Sequence, residues 1–252
     1  LTSNRFSGPL PEEIGRLIHL RSLLLSENEF SGELPETLGN LINLRNFYVK
    51  TNRLSGPFPV VLTKLVKLEY LNLSFNNFSG TIPAEIGNWE ELKHLYLWKN
   101  QFSGSIPPSI GKLRNLTELS LGENRLSGEL PKELGQLENL VTAYLNNNAF
   151  TGQIPNEMTR ASNLKYLNLN SNNLSGDLPD ELGNWEALES LLLGSNKITG
   201  TFPPSIGKMK RLKFLSVFWN KMSGMLPSEL GELENLECLY LTNNRFSGTL
   251  PS

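Results

Sequence analysis

The amino-acid sequence predicts an α/β solenoid, a single domain from residue 1 to residue 252 in which one structural unit is stacked on the next. The first observation behind this prediction is an asparagine that recurs 11 times at intervals of 24 residues, without insertion or deletion. A glycine follows each asparagine four residues later, and a proline follows each glycine three residues after that. A fixed period of this length is typical of solenoids, whose units bury their apolar faces against their neighbours. The recurring residues, called the ladder asparagines below, are Asn4, Asn28, Asn52, Asn76, Asn100, Asn124, Asn148, Asn172, Asn196, Asn220 and Asn244.

The second observation is a short strand pattern ahead of each ladder asparagine. Leu20, Leu23 and Leu25 form the pattern L-x-x-L-x-L before Asn28, and the later leucines alternate with outward residues. Alternation with period two predicts a strand that has one buried face. Strands of successive units should pair in parallel about 5 Å apart, so residues one period apart should lie side by side on the same face.

The rest of the unit predicts a turn and a short helical segment. A buried asparagine can satisfy backbone donors and acceptors of adjacent coils, so the ladder asparagines are expected to be structural. The serine–glycine pair that follows allows a bend, and the proline limits strand pairing. The leucines beyond that proline are spaced three residues apart, at Leu38, Leu41 and Leu44 in the second unit. This spacing predicts a helical turn on the side opposite the strand.

The complete motif resembles that of a known family. The pattern L-x-x-L-x-L-x-x-N-x-[LF]-[ST]-G-x-[IL]-P covers the whole chain and resembles the plant-type leucine-rich repeat of receptor-like kinases, receptor-like proteins and polygalacturonase inhibitors. The resemblance implies a superhelix with a parallel β-sheet on its concave face and short helical or 3-10 turns on its convex face. It also implies a smaller second strand region near each serine–glycine pair, and an extracellular or cell-surface setting. The 252 residues correspond to about 10.5 coils of 24 residues.

The ends of the chain differ from those of complete family members. Such members carry terminal caps with paired cysteines, whereas this sequence has a single cysteine, Cys238, and begins and stops within a unit. An uncapped solenoid end exposes core to water. We therefore expect the chain to be an internal portion of a longer one. Irregular choices such as Met222, Trp185 and Ala143 argue against a designed consensus array.

Composition restricts the function. The formal net charge of −2 argues against nucleic acid as a partner, since nucleic-acid binding calls for a basic patch. No run of 18 apolar residues is present, so we expect no membrane contact by this segment. The chain has two histidines, His19 and His94, and neither a catalytic triad pattern nor a metal-ligand cluster stands out. The sequence therefore predicts a protein that is not an enzyme and has no cofactor, no catalytic residue and no metal site.

Aromatic side chains at outward positions are the candidate ligand-binding residues, because exposed aromatic groups mark partner sites. They fall into two groups on the predicted concave face. The first group is Tyr48, Tyr70, Phe75, His94, Tyr96 and Trp98. The second group is Phe214, Phe218, Trp219 and Tyr240. The alternative is that neighbouring aromatic residues merely cover one another and bind nothing.

Four N-x-[ST] sequons predict glycosylation sites at Asn72, Asn77, Asn115 and Asn173. Asparagine is so abundant in this chain that sequons can also arise by accident. A glycan on Asn72 would obstruct the first aromatic group, because this residue is expected to point into the concave face.

The sequence and the resemblance together predict an extracellular recognition module of a receptor ectodomain. The expected partner is a peptide or protein ligand bound on the concave face, with a co-receptor or another extracellular protein as a further partner. The Arg-x-Arg pattern by which family receptors recognise a free peptide C-terminus is missing from these strands, and so is the inserted island of steroid receptors. Two alternatives stay open: a secreted inhibitor of a polysaccharide-degrading enzyme, and a structural or adhesive extracellular protein.

Overall fold

The computed structural model describes residues 1–250, and its main feature is a sheet of ten parallel strands in sequence order. Each strand is three residues long, and in nine of the ten the middle residue is buried between two that face outward, as in His94–Tyr96. The predicted alternation and parallel pairing are therefore confirmed. The ten strands are Ser22–Leu24, Asn46–Tyr48, Tyr70–Asn72, His94–Tyr96, Glu118–Ser120, Thr142–Tyr144, Tyr166–Asn168, Ser190–Leu192, Phe214–Ser216 and Cys238–Tyr240.

A second set of short parallel strands forms near each serine–glycine pair, as the family resemblance implied. The first seven join in one sheet, and the last four form two separate pairs. Backbone hydrogen bonds still link these groups, from the N–H of Ser175 to Gly152 O at 2.8 Å and from the N–H of Ser223 to Gly200 O at 2.7 Å. These strands are Ser7–Gly8, Glu29–Gly32, Arg53–Pro57, Asn77–Thr81, Gln101–Gly104, Arg125–Glu129, Ala149–Thr151, Ser175–Gly176, Lys197–Ile198, Ser223–Gly224 and Arg245–Phe246.

The helical segments are all short 3-10 helices, and nine of the ten in residues 1–250 begin directly after the repeated proline. Proline cannot donate a backbone hydrogen bond, and it is tolerated where a helix starts because the first amide groups have no partner there. The helices stack on one another on the side opposite the ten-stranded sheet. They are Glu12–Arg16, Glu36–Asn40, Val60–Lys64, Ala84–Asn88, Pro108–Lys112, Lys132–Gln136, Asn156–Arg160, Leu182–Asn184, Pro204–Lys208 and Ser228–Glu232.

A continuous apolar core lies between the sheet and the helices and extends from Leu10 to Leu233. The leucines of the motif fill it, and the two large indoles of Trp89 and Trp185 occupy the position that leucine holds in most repeats. Both indoles are fully buried, and each donates its ring N–H to a backbone carbonyl 27 residues earlier, at Leu62 and at Met158. The core thus satisfies the one polar atom that each tryptophan brings into it.

The ladder asparagines cross-link successive coils, and five of them are buried: Asn28, Asn76, Asn172, Asn196 and Asn220. The amide nitrogen of Asn76 donates to the carbonyl oxygens of Val49 at 2.9 Å and of Leu73 at 3.1 Å. Its side-chain oxygen accepts a hydrogen bond of 3.0 Å from the backbone N–H of Leu54 in the preceding coil. One side chain therefore supplies the acceptor for a buried backbone N–H and shares two carbonyl oxygens with the neighbouring ladder residues Asn52 and Asn100. The structural role expected for these asparagines is confirmed.

The residue before each ladder asparagine has a left-handed backbone conformation, with φ between 50° and 57° in all 11 units. Nine of these residues are serine, glutamate, threonine, lysine or asparagine, and the other two are Phe75 and Trp219. A bulky residue with positive φ is uncommon and strained. These two aromatic residues thus stand where the fold favours small or polar side chains.

Candidate functional site

Strand pairing places four members of the first predicted group, Tyr48, Tyr70, His94 and Tyr96, in two adjacent rows on the concave face, here the outward side of the ten-stranded sheet. In one row Tyr70 is directly opposite His94, which is opposite Glu118. In the other row Tyr48 and Tyr96 flank Asn72. The rigid sheet therefore brings side chains from four repeats together without any loop having to become ordered.

Four of these side chains form a continuous stack, called the aromatic row below: Tyr48, Tyr70, His94 and Tyr96. The ring centroids of Tyr48 and Tyr70 lie 6.4 Å apart, those of Tyr70 and His94 4.4 Å apart, and those of His94 and Tyr96 5.9 Å apart. All three pairs are stacked, with interplanar angles of at most 24°. Each ring is half-buried, so the row holds its own geometry while keeping apolar surface open to a partner.

Hydrogen bonds fix one end of the aromatic row. The hydroxyl of Tyr96 donates a short hydrogen bond to the carboxylate of Glu118. The Nδ1 atom of His94 lies 3.2 Å from the Tyr96 hydroxyl and 3.5 Å from a carboxylate oxygen of Glu118. Burial, followed by the hydrogen bond to Glu118, raises the pKa of Tyr96, and burial beside Tyr70 raises the pKa of Tyr48. Both phenols therefore stay neutral donors at physiological pH.

A charged border runs along the side of the row where the strands begin. Arg45, Glu69 and Lys93 occupy the same position in three successive repeats. Glu69 accepts a hydrogen bond from each neighbour, with 2.7 Å between its Oε2 and the Lys93 Nζ. These hydrogen bonds, that from Lys93 foremost, lower the pKa of Glu69, and the same contact raises the pKa of Lys93. The aromatic row is thus bordered by polar groups, as at a binding surface with an apolar centre.

Trp98 does not join this row, contrary to the grouping predicted from sequence. Its indole leans toward the following repeat, over Gly122, and meets the ring of Tyr144 edge-on with a centroid distance of 6.1 Å. The physical reason is space, because Gly122 carries no side chain at a position where most other repeats have one. Trp98 is half-buried there. Through its contact with Tyr144, the aromatic surface extends two strands beyond Tyr96.

Phe75 also differs from its predicted placement. Its strand ends at Asn72, and Phe75 lies in the left-handed turn that follows, so it is not an outward strand residue. The Nζ atoms of Lys50 and Lys99 lie over its ring, 5.5 Å and 5.2 Å from the centroid. Together these residues form a polar and aromatic ridge beside the row.

The second predicted group is not a cluster. Phe214, Trp219 and Tyr240 are exposed, and Phe218 packs its ring where Gly194 lacks a side chain. No aromatic stacking joins these four side chains within residues 1–250. A hydrogen bond with Cys238 raises the pKa of Tyr240. Strand pairing alone therefore did not bring these residues into contact.

The four sequon asparagines lie in different environments. Asn77 and Asn115 are exposed, and Asn173 is half-buried. Asn115 donates its amide to the carbonyl of Glu90, which a glycan would disrupt. Asn72 points to the concave face as expected, but its side-chain oxygen accepts a hydrogen bond of 3.0 Å from the backbone N–H of Ser74. Asn77 is exposed, and its side chain makes no hydrogen bond within residues 1–250, so it is the most accessible of the four. Glycosylation at all four positions stays a prediction.

Some residues of the site could not be predicted by searching for aromatic side chains. In the sequence they resemble ordinary surface charges, and only strand pairing places them beside the aromatic row: Arg45, Lys50, Glu69 and Lys93. Aligning the repeats by position shows the signal, since three of them share one column. In the part of the chain that the structure describes, no group of His, Cys, Asp and Glu residues could hold a metal ion, and no helix is long and apolar enough to cross a membrane.

Comparison with known proteins identifies the family. The leucine-rich-repeat family model matches residues 12–78 and 162–222, and a second model described by the same name matches residues 91–113, 115–137 and 235–252. The chain belongs to the leucine-rich-repeat family, and its solved relatives place it in the plant type. No curated protein matches the sequence.

Three solved structures are similar over the whole chain. The Arabidopsis receptor kinase HAESA, in complex with the peptide hormone IDA and the co-receptor SERK1, is 36% identical with a TM-score of 0.96. A TDR receptor is 34% identical with a TM-score of 0.95, and PEPR1 in complex with AtPEP1 is 38% identical with a TM-score of 0.86. Each comparison covers 100% of this chain and 42%, 44% and 39% of the respective relative. The chain therefore spans less than half the length of these relatives.

Proposed function

We propose that this chain is the ligand-recognition module of a plant receptor ectodomain, extracellular or at the cell surface, and that it binds a peptide or protein on its concave face. It acts by binding and not by catalysis. The similarity to HAESA, described in complex with a peptide hormone and a co-receptor, supports this assignment, and a co-receptor is a reasonable further partner. So does the similarity to PEPR1, described in complex with AtPEP1.

The observation that carries the proposal is the aromatic row and its fixation by Glu118. Rings stacked 4.4 Å apart on a rigid sheet and anchored by hydrogen bonds lose little conformational entropy when a ligand binds. Tyrosine is enriched among the residues that dominate interface energies, and truncating such a residue typically costs about 2 kcal/mol or more. The charged border formed by Arg45, Glu69 and Lys93 supplies the polar rim that orients a ligand.

The proposal is tested by ligand capture followed by affinity measurement. Peptides from plant extracellular fluid are incubated with the immobilised protein, identified by mass spectrometry, synthesised and titrated by calorimetry. Tyr96→Ala should weaken binding of a captured peptide by at least about tenfold, equal to about 1.4 kcal/mol. The matched control is Tyr166→Ala, which removes a tyrosine from the same sheet face outside the aromatic row and should change affinity less than about twofold.

Thermal melting of each variant verifies that it is folded. If Tyr96→Ala and Tyr166→Ala bind every captured peptide as the wild type does, the aromatic row is not the binding site. Inhibition of a secreted polygalacturonase by the wild-type protein, combined with the failure of any peptide to bind, would instead support the inhibitor alternative.

A further inference from the structure

Lys50, Phe75 and Lys99 form the most unusual charged arrangement on the concave side. Phe75 is 39% exposed and has a left-handed backbone with φ of 56°, a conformation that costs a bulky residue about 1–3 kcal/mol. Other repeats place serine, glutamate, threonine, lysine or asparagine at this position, except for Trp219. A phenylalanine at this position therefore has no evident benefit for the fold. The contacts of the Phe75 ring should explain its presence.

Those contacts are two lysines from the repeats on either side. The Nζ atom of Lys50 lies 5.5 Å from the ring centroid and that of Lys99 5.2 Å from it. Both distances are within the range of cation–π attraction. The phenylalanine thus restricts two flexible lysine side chains and holds their ammonium groups beside one exposed ring.

Neither ammonium group has an anionic partner within the described residues. Glu123 is the next residue in the repeat column of Lys99, but no ion pair forms between them. Each ammonium has three N–H donors, and in contrast to Lys93 and Lys213, which donate to glutamates, these two make no hydrogen bond to an acceptor in residues 1–250. The ammonium groups of Lys50 and Lys99 therefore lie over the same ring, and their N–H donors are available to a ligand.

This ridge is continuous with the aromatic row. Lys50 follows Tyr48 by two residues, and Lys99 follows Tyr96 by three. A ligand lying across the aromatic row would therefore reach both lysines at the side where the strands end. The opposite border, formed by Arg45, Glu69 and Lys93, has its carboxylate already paired.

We infer that the ligand is an acidic peptide, with carboxylates that pair with Lys50 and Lys99 over the Phe75 platform. This inference rests on the peptide-binding role proposed above and names the charge of that ligand. Since the two ammonium groups come from repeats on either side of Phe75, separate carboxylates along one chain match them better than a single compact anion. Charge-assisted hydrogen bonds to pre-positioned ammonium groups add affinity and select against basic peptides.

The test uses fluorescent hexa-glutamate, blocked at both ends, and hexa-glutamine as the neutral probe, titrated at about 20 mM salt so that screening is weak. The double variant Lys50→Gln/Lys99→Gln should weaken hexa-glutamate binding at least about tenfold and leave hexa-glutamine unchanged. The control Lys112→Gln/Lys208→Gln lowers the net charge by the same amount at exposed positions in the 3-10 helices. It should change the affinity for hexa-glutamate less than about threefold. Phe75→Ser, which introduces a residue found at this position in other repeats, should weaken hexa-glutamate binding by an intermediate factor.

Equal losses in the two double variants, or equal binding of both probes by the wild type, would overturn the acidic-ligand inference. Such a result leaves the proposed function standing if Tyr96→Ala still abolishes capture of natural peptides. Conversely, loss of hexa-glutamate binding only in Lys50→Gln/Lys99→Gln supports the charge assignment even if the natural ligand turns out not to contact Tyr96.

Discussion

The indole of Trp98 lies directly over Gly122, so close that a Cβ atom on this glycine would be 3.0 Å from the Cζ3 atom of the ring. The two residues occupy equivalent positions in successive repeats. The same relationship recurs between Phe218 and Gly194, where a Cβ atom would be 2.3 Å from the ring. Each large aromatic side chain at this position is therefore accommodated by the absence of a side chain next to it.

This relationship predicts that Gly122→Ala will displace Trp98. The added methyl group would lie 3.0 Å from both the indole and the side-chain oxygen of Asn146, so the indole has to move by a few tenths of an ångström to relieve the contact. The free energy of unfolding should fall, and the indole N–H resonance of Trp98 should shift, with Trp98→Phe providing the assignment. The control is Gly231→Ala, where a Cβ atom would meet nothing within 4 Å. An unshifted resonance and equal stability of the two variants would contradict the packing described for Trp98.

A second prediction concerns the asparagine ladder. Asn76→Ala leaves the backbone N–H of Leu54 without its side-chain acceptor, whereas the carbonyl oxygens of Val49 and Leu73 keep hydrogen bonds from Asn52 and Asn100. A buried polar group left unsatisfied costs about 1–3 kcal/mol, so the variant should lose about that much in chemical denaturation. Asn77→Ala, which alters the adjacent exposed asparagine in unglycosylated protein, should stay within about 0.5 kcal/mol of the wild type. Similar losses in both variants would argue against a ladder role.

A third prediction is a pH-dependent contribution from Glu69. Lys93 and Arg45 lower the pKa of Glu69 in the folded protein, so its stabilising effect is present above the pKa of an unfolded glutamate and is lost as the pH falls through the lowered folded pKa. Because both cations are largely exposed, the effect should be small, about 0.5–1 kcal/mol. Glu69→Gln should therefore be less stable than the wild type at neutral pH, and the difference should shrink in acid.

The control is Glu123→Gln, which removes an exposed glutamate that forms no ion pair within residues 1–250. Its loss of stability at neutral pH should be smaller than that of Glu69→Gln. A Glu69→Gln difference that is constant with pH would show that the carboxylate gains nothing from its two cations.

A fourth prediction follows from the left-handed turn at Trp219. This side chain is 63% exposed and has φ of 52°, so it contributes little packing and carries backbone strain. Trp219→Asn, which places there the residue that other repeats have at Asn147 and Asn243, should raise the free energy of unfolding by about 0.5–1 kcal/mol. Trp219→Leu retains a bulky side chain and should give no such gain. Destabilisation by asparagine would mean that Trp219 packs more firmly than its exposure indicates.

Much of the fold follows from the period of the sequence. Because every repeat has the same length, residues such as Trp89 and Trp185 could be assigned to the core from the column that they share with leucines, and both are fully buried. The asparagine ladder, the parallel sheet and the 3-10 turns could be predicted for the same reason. Identical spacing leaves few other ways to satisfy the backbone and bury the apolar face.

The candidate site was less predictable, because side chains can lean toward either neighbouring repeat. The outward positions of Trp98 and Tyr96 predict that they belong to one group, whereas the indole packs toward the following repeat because Gly122 leaves space there. The pattern also predicts an outward strand position for Phe75, but its strand ends at Asn72 and the chain then turns left-handed. The glycine in the column beside Trp98 was the signal that could have corrected the first error.

Site-specific crosslinking tests the central claim, ligand binding at the aromatic row, most directly. A photoreactive benzoyl-phenylalanine is placed at Asn46, which pairs with Tyr70 on the concave face, or at Ile42, which is 58% exposed on the opposite side of the same repeat. Irradiation with plant extracellular peptides should give a specific adduct at position 46, competed by the unlabelled peptide and absent in Tyr96→Ala, and none at position 42. Adducts at position 42 alone, or adducts at position 46 that persist in Tyr96→Ala, would contradict binding at the aromatic row.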